Sequence, residues 1–184
     1  MQAVLRCTAA GVPDLYQGAE FWDLSLVDPD NRRPVDYAAR RQALASSTQA
    51  PDLLSRWRTG EVKQQVVAAT LALRQVSPAL FQGGLYEPLE VRGARADHIV
   101  AYRRHAGNEA LLVVAPFRCA GIVMGKDKPV VPANWWEDTT IVLPGRHTPS
   151  AHDAFTGRTQ TLQNEIGVAD LLADFPVAVA RLES

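Results

Sequence analysis

The sequence predicts an α+β chain, with helices over residues 1–83 and an all-β part over residues 84–184. Two observations predict this division. Residues 61–75 carry apolar side chains at the three- and four-residue spacing of a helix that buries one face. After residue 85, short runs with strand character alternate with turn residues, a pattern typical of a β-sandwich.

The first half is predicted to hold four helical pieces and one short strand. Gly11-Val12-Pro13 should end the first helix, because proline disfavours the helical region for the residue before it. Leu15-Tyr16 is too short to stand alone and indicates a buried strand. The predicted helical pieces are residues 1–10, 34–46, 51–57 and 61–75.

The second half is predicted to hold seven short strands and a short helix near residues 168–173. Turn signals such as Ala106-Gly107-Asn108 and Pro144-Gly145 divide the strands. The predicted strands are Tyr86–Val91, Ile99–Arg103, Ala110–Ala115, Gly121–Met124, Thr139–Leu143, Ala151–Phe155 and Val177–Leu182.

Residues 11–34 form the most chemically distinctive stretch of the chain. It contains five carboxylates and two adjacent arginines among glycines and prolines. A strand end followed by a loop dense in carboxylate, amide and guanidinium groups is how α/β barrels build sites for polar ligands. The alternative is a surface loop in which Asp, Pro and Asn residues only make turns.

Two motifs in this stretch resemble a known family. Residues 11–20, GVPDLYQGAE, resemble the Gly-x-Pro-x-x-Tyr-x-Gly-x-Glu motif at strand eight of the α-amylase superfamily. Residues 21–36, FWDLSLVDPDNRRPVD, closely resemble one branch of it, the maltooligosyl trehalose synthases. The first motif alone indicates only a large superfamily, whereas the second is long and much more specific. Looser similarity continues through residues 62–81 and into the second half.

The resemblance implies the end of a (β/α)8 barrel, with strand eight and its flanking helices in residues 1–83, followed by the β-sandwich domain that closes such enzymes. A complete barrel takes about 250 residues, so a chain of 184 residues cannot contain one. We therefore expect a C-terminal fragment of a longer enzyme, whose partner is the missing N-terminal portion of the barrel.

The resemblance also implies the reaction of a (1→4)-α-D-glucan 1-α-D-glucosylmutase. Such an enzyme converts the reducing-end α-1,4 linkage of a maltooligosaccharide to the α,α-1,1 linkage of trehalose by intramolecular transglycosylation, without a cofactor or metal. In the superfamily the nucleophile, the acid and a third aspartate follow strands four, five and seven, which would precede Met1. We therefore expect no catalytic residue here and an isolated chain that is inactive.

The loop can instead supply substrate recognition. Sugar hydroxyls are held by carboxylate and amide oxygens and by the rigid donor fork of arginine, while an aromatic ring covers the apolar face. Alternatively, Arg32 or Arg33 pairs with Asp23 or Asp28 and only stiffens the loop. Glu20 is expected to be structural. The predicted substrate-binding residues are Tyr16, Asp28, Asp30, Asn31, Arg32 and Arg33.

Composition excludes several other functions. The formal net charge of −1 gives no field to attract nucleic acid or an anionic membrane. Cys7 and Cys119 lie far apart without histidines at ligand spacing, which argues against a disulfide framework and a zinc site. The sequence shows no secretion signal and no run of about 18 apolar residues. We expect a soluble, cytoplasmic protein with no nucleic-acid or membrane partner.

Two other functions stay open at this point. A non-catalytic glucan-binding module could present Trp135 and Trp136 to sugar rings, although packing is the commoner role of tryptophan. A hydrolase of the same superfamily is the second alternative, and the run of residues 28–34 argues against it. Lys63, at the start of the periodic helix, is either a solvated charge or a ligand contact.

Overall fold

A computed structural model describes residues 1–25, 32–46, 48–145 and 149–183. The helices lie mostly in the first half of the chain, as predicted. They are α1 (Gln2–Thr8), α2 (Tyr37–Ala45), α3 (Glu61–Val76), α4 (Pro78–Gln82), α5 (Ala120–Val123) and α6 (Val168–Leu171), with 3₁₀ helices at Asp52–Thr59, Ala96–His98 and Ala133–Trp136. Within these described ranges, no helix is long and apolar enough to cross a membrane.

The strands form two antiparallel sheets. A six-stranded sheet has the order β1-β3-β4-β9-β6-β7, and a three-stranded sheet has the order β2-β5-β8. The strands are β1 (Leu85–Pro88), β2 (Val91–Arg92), β3 (Ile99–Ala106), β4 (Glu109–Pro116), β5 (Thr140–Val142), β6 (Ser150–Asp153), β7 (Thr159–Thr161), β8 (Glu165–Gly167) and β9 (Ala178–Glu183).

Strand β4 lies inside the six-stranded sheet and is buried on both faces. Alternate residues of a strand point to opposite faces. Leu111 and Val113 join a hydrophobic cluster with residues of α1, α3 and α4. Leu112 and Val114 join a second cluster, which includes Ile141 of the three-stranded sheet. The unbroken apolar run over residues 111–115 follows from this double burial.

Two helices of the first half begin where their sequence signals predicted. The Asp36 carboxylate accepts a hydrogen bond from the Ala39 N–H at 2.9 Å, which satisfies one donor at the start of α2. Helix α3 buries Val62, Val66 and Val67 on one face, as its apolar spacing predicted. The piece predicted at residues 51–57 is helical too, as a 3₁₀ helix.

Three predicted elements differ from the structure. Leu15-Tyr16 forms no strand: residues 12–16 are irregular, because a strand needs a neighbour to bond to and no described strand pairs with it. Gly121–Met124 is helical instead, since its N–H groups bond back to the carbonyls of Cys119 and Ala120. Residues 86–91 divide between β1 and β2, which belong to different sheets. Periodicity over so few residues does not separate helix from strand.

Arg104 connects the helical layer to the sheet. Its side chain, on β3, is only 2% exposed. The guanidinium donates to the carbonyls of Leu80 at 2.8 Å, Gly84 at 3.3 Å and Thr8 at 3.4 Å. Thr8 ends α1, and the other two carbonyls lie in or just after α4. Carbonyls at helix ends carry partial negative charge, so they compensate the buried cation.

The neighbouring Tyr102 completes this contact region. Its hydroxyl lies 2.5 Å from the Thr8 hydroxyl, which also donates to the Val4 carbonyl. Burial is the main reason that the pKa of Tyr102 rises to about 12. Polar groups of β3 and α1 therefore satisfy one another away from water, which fixes how the first helix lies on the sheet.

We predict that Arg104→Met lowers the free energy of unfolding by about 3 kcal/mol or more, because three buried carbonyls lose their donor. The matched control is Arg103→Met, on the opposite face of β3, where the side chain is partly exposed and pairs with Glu87 at 2.7 Å. That variant should lose about 1 kcal/mol or less. Urea denaturation of both variants measures the difference, and equal losses would contradict the role given to Arg104.

Candidate functional site

The predicted substrate-binding residues fall in two groups. Asp28, Asp30 and Asn31 lie outside the described residues. Tyr16, Arg32 and Arg33 are described and exposed to solvent, Tyr16 by 49%. Exposure makes all three accessible to a dissolved ligand.

Cationic side chains from three helices hold the segment that leads into this region. Residues 11–22 form no strand, yet four helical cations bind carbonyls in or beside the segment. Backbone carbonyls left without a sheet partner need another donor when they are shielded from water. The contacts are Arg74 to Gly11 at 2.7 Å, Arg6 to Asp14 at 2.9 Å, Arg40 to Gly18 at 2.6 Å and Lys63 to Phe21 at 2.8 Å.

Arg40 connects α2 to this segment through several contacts. Its Nε pairs with Glu20 Oε2 at 3.3 Å, and its guanidinium carbon lies 4.7 Å from the centre of the Phe21 ring. The Arg40 carbonyl accepts from the Gln64 side chain at 3.1 Å, which ties α2 to α3. The ion pair agrees with the structural role predicted for Glu20. The sequence did not predict that Arg40 holds this segment, because its partners lie about 20 residues away along the chain.

Beyond Phe21 the segment borders an open groove of about 530 Å³. Trp22 Nε1 donates to the Trp57 carbonyl at 2.6 Å, and the two rings meet edge to face at 6.2 Å. Lys63 Nζ lies 5.5 Å from the centre of the Trp22 ring. The groove is lined by these three residues, by Asp23 and by apolar side chains of α1 and residues 175–177. Its rim combines aromatic surface with the Asp23 carboxylate and the Lys63 ammonium group.

The charges at this rim influence each other. Hydrogen bonds from Ser25 are the main cause of the lowered pKa of Asp23, and the charges of Lys63 and Arg33 lower it further. Partial burial lowers the pKa of Lys63, and the negative charges of Asp23 and Glu20 oppose that shift.

Gly60 makes the close approach between α3 and this segment possible. It stands immediately before α3 with φ of +90°, a backbone region that favours glycine. A Cβ at this position would lie 2.9 Å from Phe21 Cβ and from the Trp22 backbone nitrogen. Only a residue without a side chain therefore lets the segment pass the start of α3, where Lys63 can reach it.

The tryptophan pair of the β half has a packing role. Trp136 is fully buried in the cluster that joins the two sheets. Trp135 is partly buried, with Arg95 4.9 Å from its ring centre and His98 against it edge to face. Arg95 therefore covers one face of the Trp135 ring, and the Trp136 ring presents no surface to solvent. Among the described residues, no group of three or more His, Cys, Asp or Glu side chains could hold a metal ion.

The fold of the chain is similar to parts of solved structures. It superposes on part of an Anoxybacillus α-amylase with a TM-score of 0.61, covering 98% of this chain and 31% of that one, at 16% identity. Maltooligosyltrehalose synthase from Arthrobacter ramosus superposes with a TM-score of 0.72 and 36% identity, over 98% of this chain and 21% of that one. In fold, the chain is similar to the matching part of α-amylase-superfamily enzymes.

Comparison of sequence gives relatives of the chain. The chain is 43% identical, over 176 residues and 96% of its length, to proteins of two Mycobacterium tuberculosis strains, CDC 1551 and H37Rv, named "Putative maltooligosyl trehalose synthase". It is homologous to the maltooligosyl trehalose synthases, as the motifs in residues 11–36 predicted. It spans about a fifth of the length of these relatives, 19%. No protein-family model matches the sequence.

We predict that Gly60→Ala destabilises the protein more than Gly107→Ala does. Both glycines have positive φ, which costs alanine about 1–2 kcal/mol, but an added Cβ meets nothing within 4 Å at Gly107 and overlaps the Trp22 backbone at Gly60. Thermal denaturation followed by tryptophan fluorescence should show a roughly two-fold larger loss for Gly60→Ala. Equal losses would mean that residues 21–22 do not depend on this close approach.

Proposed function

We propose that the chain is the C-terminal part of a maltooligosyl trehalose synthase. The observation that carries this proposal is the 43% identity over 96% of the chain. In the whole enzyme, the reducing-end α-1,4 linkage of a maltooligosaccharide becomes an α,α-1,1 linkage by intramolecular transglycosylation. Because the chain spans about a fifth of its relatives, this reaction is proposed for the whole enzyme and not for the chain alone. A cytoplasmic location stays a prediction.

We assign residues 1–83 to the end of the (β/α)8 barrel and residues 84–184 to the closing β-sandwich domain. The irregular segment 12–16 supports the first assignment, since Val12 is 92% exposed and the segment has no strand beside it in the described chain. In a whole barrel a neighbouring strand would supply that partner. The hydrophobic cluster shared by both sheets supports the second assignment.

Within the whole enzyme, residues 16–33 would bind the glucan and break no bonds. The substrate-binding residues that we propose are Tyr16, Asp28, Asp30, Asn31, Arg32 and Arg33. Arginine side chains match pairs of hydroxyl groups with their fixed donors. Holding the released glucose lets its anomeric hydroxyl attack before water does, since the attack becomes intramolecular. The bond-breaking carboxylates would come from the rest of the barrel.

The test is a calorimetric titration of the chain with maltopentaose. We expect binding that falls about ten-fold or more in the Arg32→Ala/Arg33→Ala variant, because charge-assisted hydrogen bonds contribute about 1.5–3 kcal/mol. Trp135→Ala should bind like the unmodified chain. A matched arginine control is Arg158→Ala, which removes a contact with Asp174 at 3.8 Å in the β half.

The same samples test for turnover. Incubated with maltopentaose, the chain should form no non-reducing product, because on this proposal the carboxylates that glycoside chemistry needs lie in the rest of the enzyme. Formation of such a product by the chain alone would overturn the proposal. So would maltopentaose binding that is lost in Trp135→Ala and unchanged in the double arginine variant, since that result would place the glucan site in the β half.

A further inference from the structure

The groove beside Trp22 combines the kinds of group that hold a sugar. Its lining includes the Trp22 ring, the Asp23 carboxylate and the Lys63 ammonium group. A sugar ring presents an apolar face to aromatic side chains and hydroxyl groups to hydrogen-bond donors and acceptors. The groove volume of about 530 Å³ lies within the range of about 300–1,000 Å³ that is typical of small-molecule sites.

The Trp22 ring is available at the surface and is also held in place. Its side chain is 44% exposed, although Nε1 donates to the Trp57 carbonyl at 2.6 Å and the two rings meet edge to face. This hydrogen bond satisfies the one polar atom of the indole, so the exposed part of the ring is apolar. The other tryptophans are less accessible, since Trp57 and Trp135 are partly buried and Trp136 is buried. Trp22 is therefore the tryptophan on which a dissolved ligand can stack.

Asp23 and Lys63 keep hydrogen-bonding capacity for a ligand. Asp23 accepts from the Ser25 N–H at 2.9 Å, and a carboxylate has about four acceptor positions. Lys63 Nζ donates to the Phe21 carbonyl at 2.8 Å, and an ammonium group carries about three donors. Among the described side chains that line the groove, these two are the charged ones and their charges cancel. A neutral ligand rich in hydroxyl groups therefore suits the groove better than an anion or a cation.

The walls of the groove are formed by packed residues of the fold. Five of them belong to the hydrophobic cluster between the helices and the six-stranded sheet: Val4, Leu54, Val62, Val66 and Phe175. Side chains in such a cluster lose no further freedom when a ligand arrives. The groove is thus formed in advance, which lowers the ordering cost of binding.

We propose that Trp22, Asp23 and Lys63 form a glucan-binding site in this groove, with a glucose ring stacked on Trp22 and its hydroxyl groups bonded to Asp23 and Lys63. This inference rests on the proposed function for the identity of its ligand, an α-1,4-linked glucan. It adds three residues to those proposed above, and the structure describes all three.

The test is a calorimetric titration of three variants of the chain with maltopentaose. Trp22→Leu should weaken binding about ten-fold, because the stacking surface is lost. Trp22→Phe should bind like the unmodified chain, because it keeps an aromatic ring. Both variants lose the hydrogen bond to Trp57, so the pair separates stacking from local folding. Asp23→Asn should weaken binding about five-fold, since a charged acceptor becomes a neutral one.

The matched control is Phe117→Leu in the β half of the chain. It removes another exposed aromatic ring, which is 37% exposed and has the Arg118 guanidinium carbon 4.9 Å from its centre. Maltopentaose affinity should be unchanged in this variant.

A second readout needs no substitution. N-bromosuccinimide oxidises accessible indole rings, so Trp22 should react faster than the three less exposed tryptophans. Saturating maltopentaose should slow the oxidation of Trp22 severalfold, as measured by mass spectrometry of peptides. Protection of Trp22 would show that the sugar covers its ring.

The outcomes separate this inference from the proposed function. Unchanged affinity in Trp22→Leu, equal losses in Trp22→Leu and Trp22→Phe, or no protection of Trp22 would overturn the inference. The proposed function would then keep its support if the Arg32→Ala/Arg33→Ala variant loses binding. Binding that is lost in Trp22→Leu and unchanged in the double arginine variant would uphold the groove site and contradict the role proposed for the two arginines. An unmodified chain that binds no maltopentaose would contradict both.

Discussion

The structure depends on one constraint, the burial of the six-stranded sheet on both of its faces. Helices cover one face and the three-stranded sheet covers the other, so β4 must be apolar at every position from Leu111 to Ala115. Most antiparallel sheets leave one face to water and show an alternating pattern. Here the alternation is lost at the centre, whereas the edge strands β1 and β7 carry mostly exposed residues.

A second theme is the use of cations to satisfy backbone carbonyls. Arg104 does so in the core, where it binds carbonyls around the ends of α1 and α4. Arg40, Arg74 and Lys63 do so along residues 11–22, which have no sheet partner in the described chain. In both places a long, positively charged side chain replaces the hydrogen bonds that regular secondary structure would supply. The helical layer is thereby tied to the sheet and to the irregular segment together.

This arrangement suits a binding region whose backbone is held in place by side chains of neighbouring helices. The groove presents Trp22 and Asp23, while the anchoring contacts come from side chains of α1, α2 and α3. Sites held on rigid elements keep their geometry better than free loops do. The similarity to maltooligosyl trehalose synthases gives the region a ligand class to test, and the fraction of those proteins that the chain spans explains why catalysis is proposed for the whole enzyme only.

The sequence by itself predicted the similarity to the maltooligosyl trehalose synthases, the helices α2 and α3, and most strands of the six-stranded sheet. These features depend on long motifs, helix caps and periodic burial, which all lie within a short stretch of sequence. The tertiary structure decided the rest. Gly121–Met124 became helical, residues 86–91 changed sheets, and Leu15-Tyr16 stayed irregular, since pairing with distant strands settles such short runs. The roles of Arg40, Lys63 and Arg104 likewise required the fold, because each binds carbonyls 20 to 96 residues away.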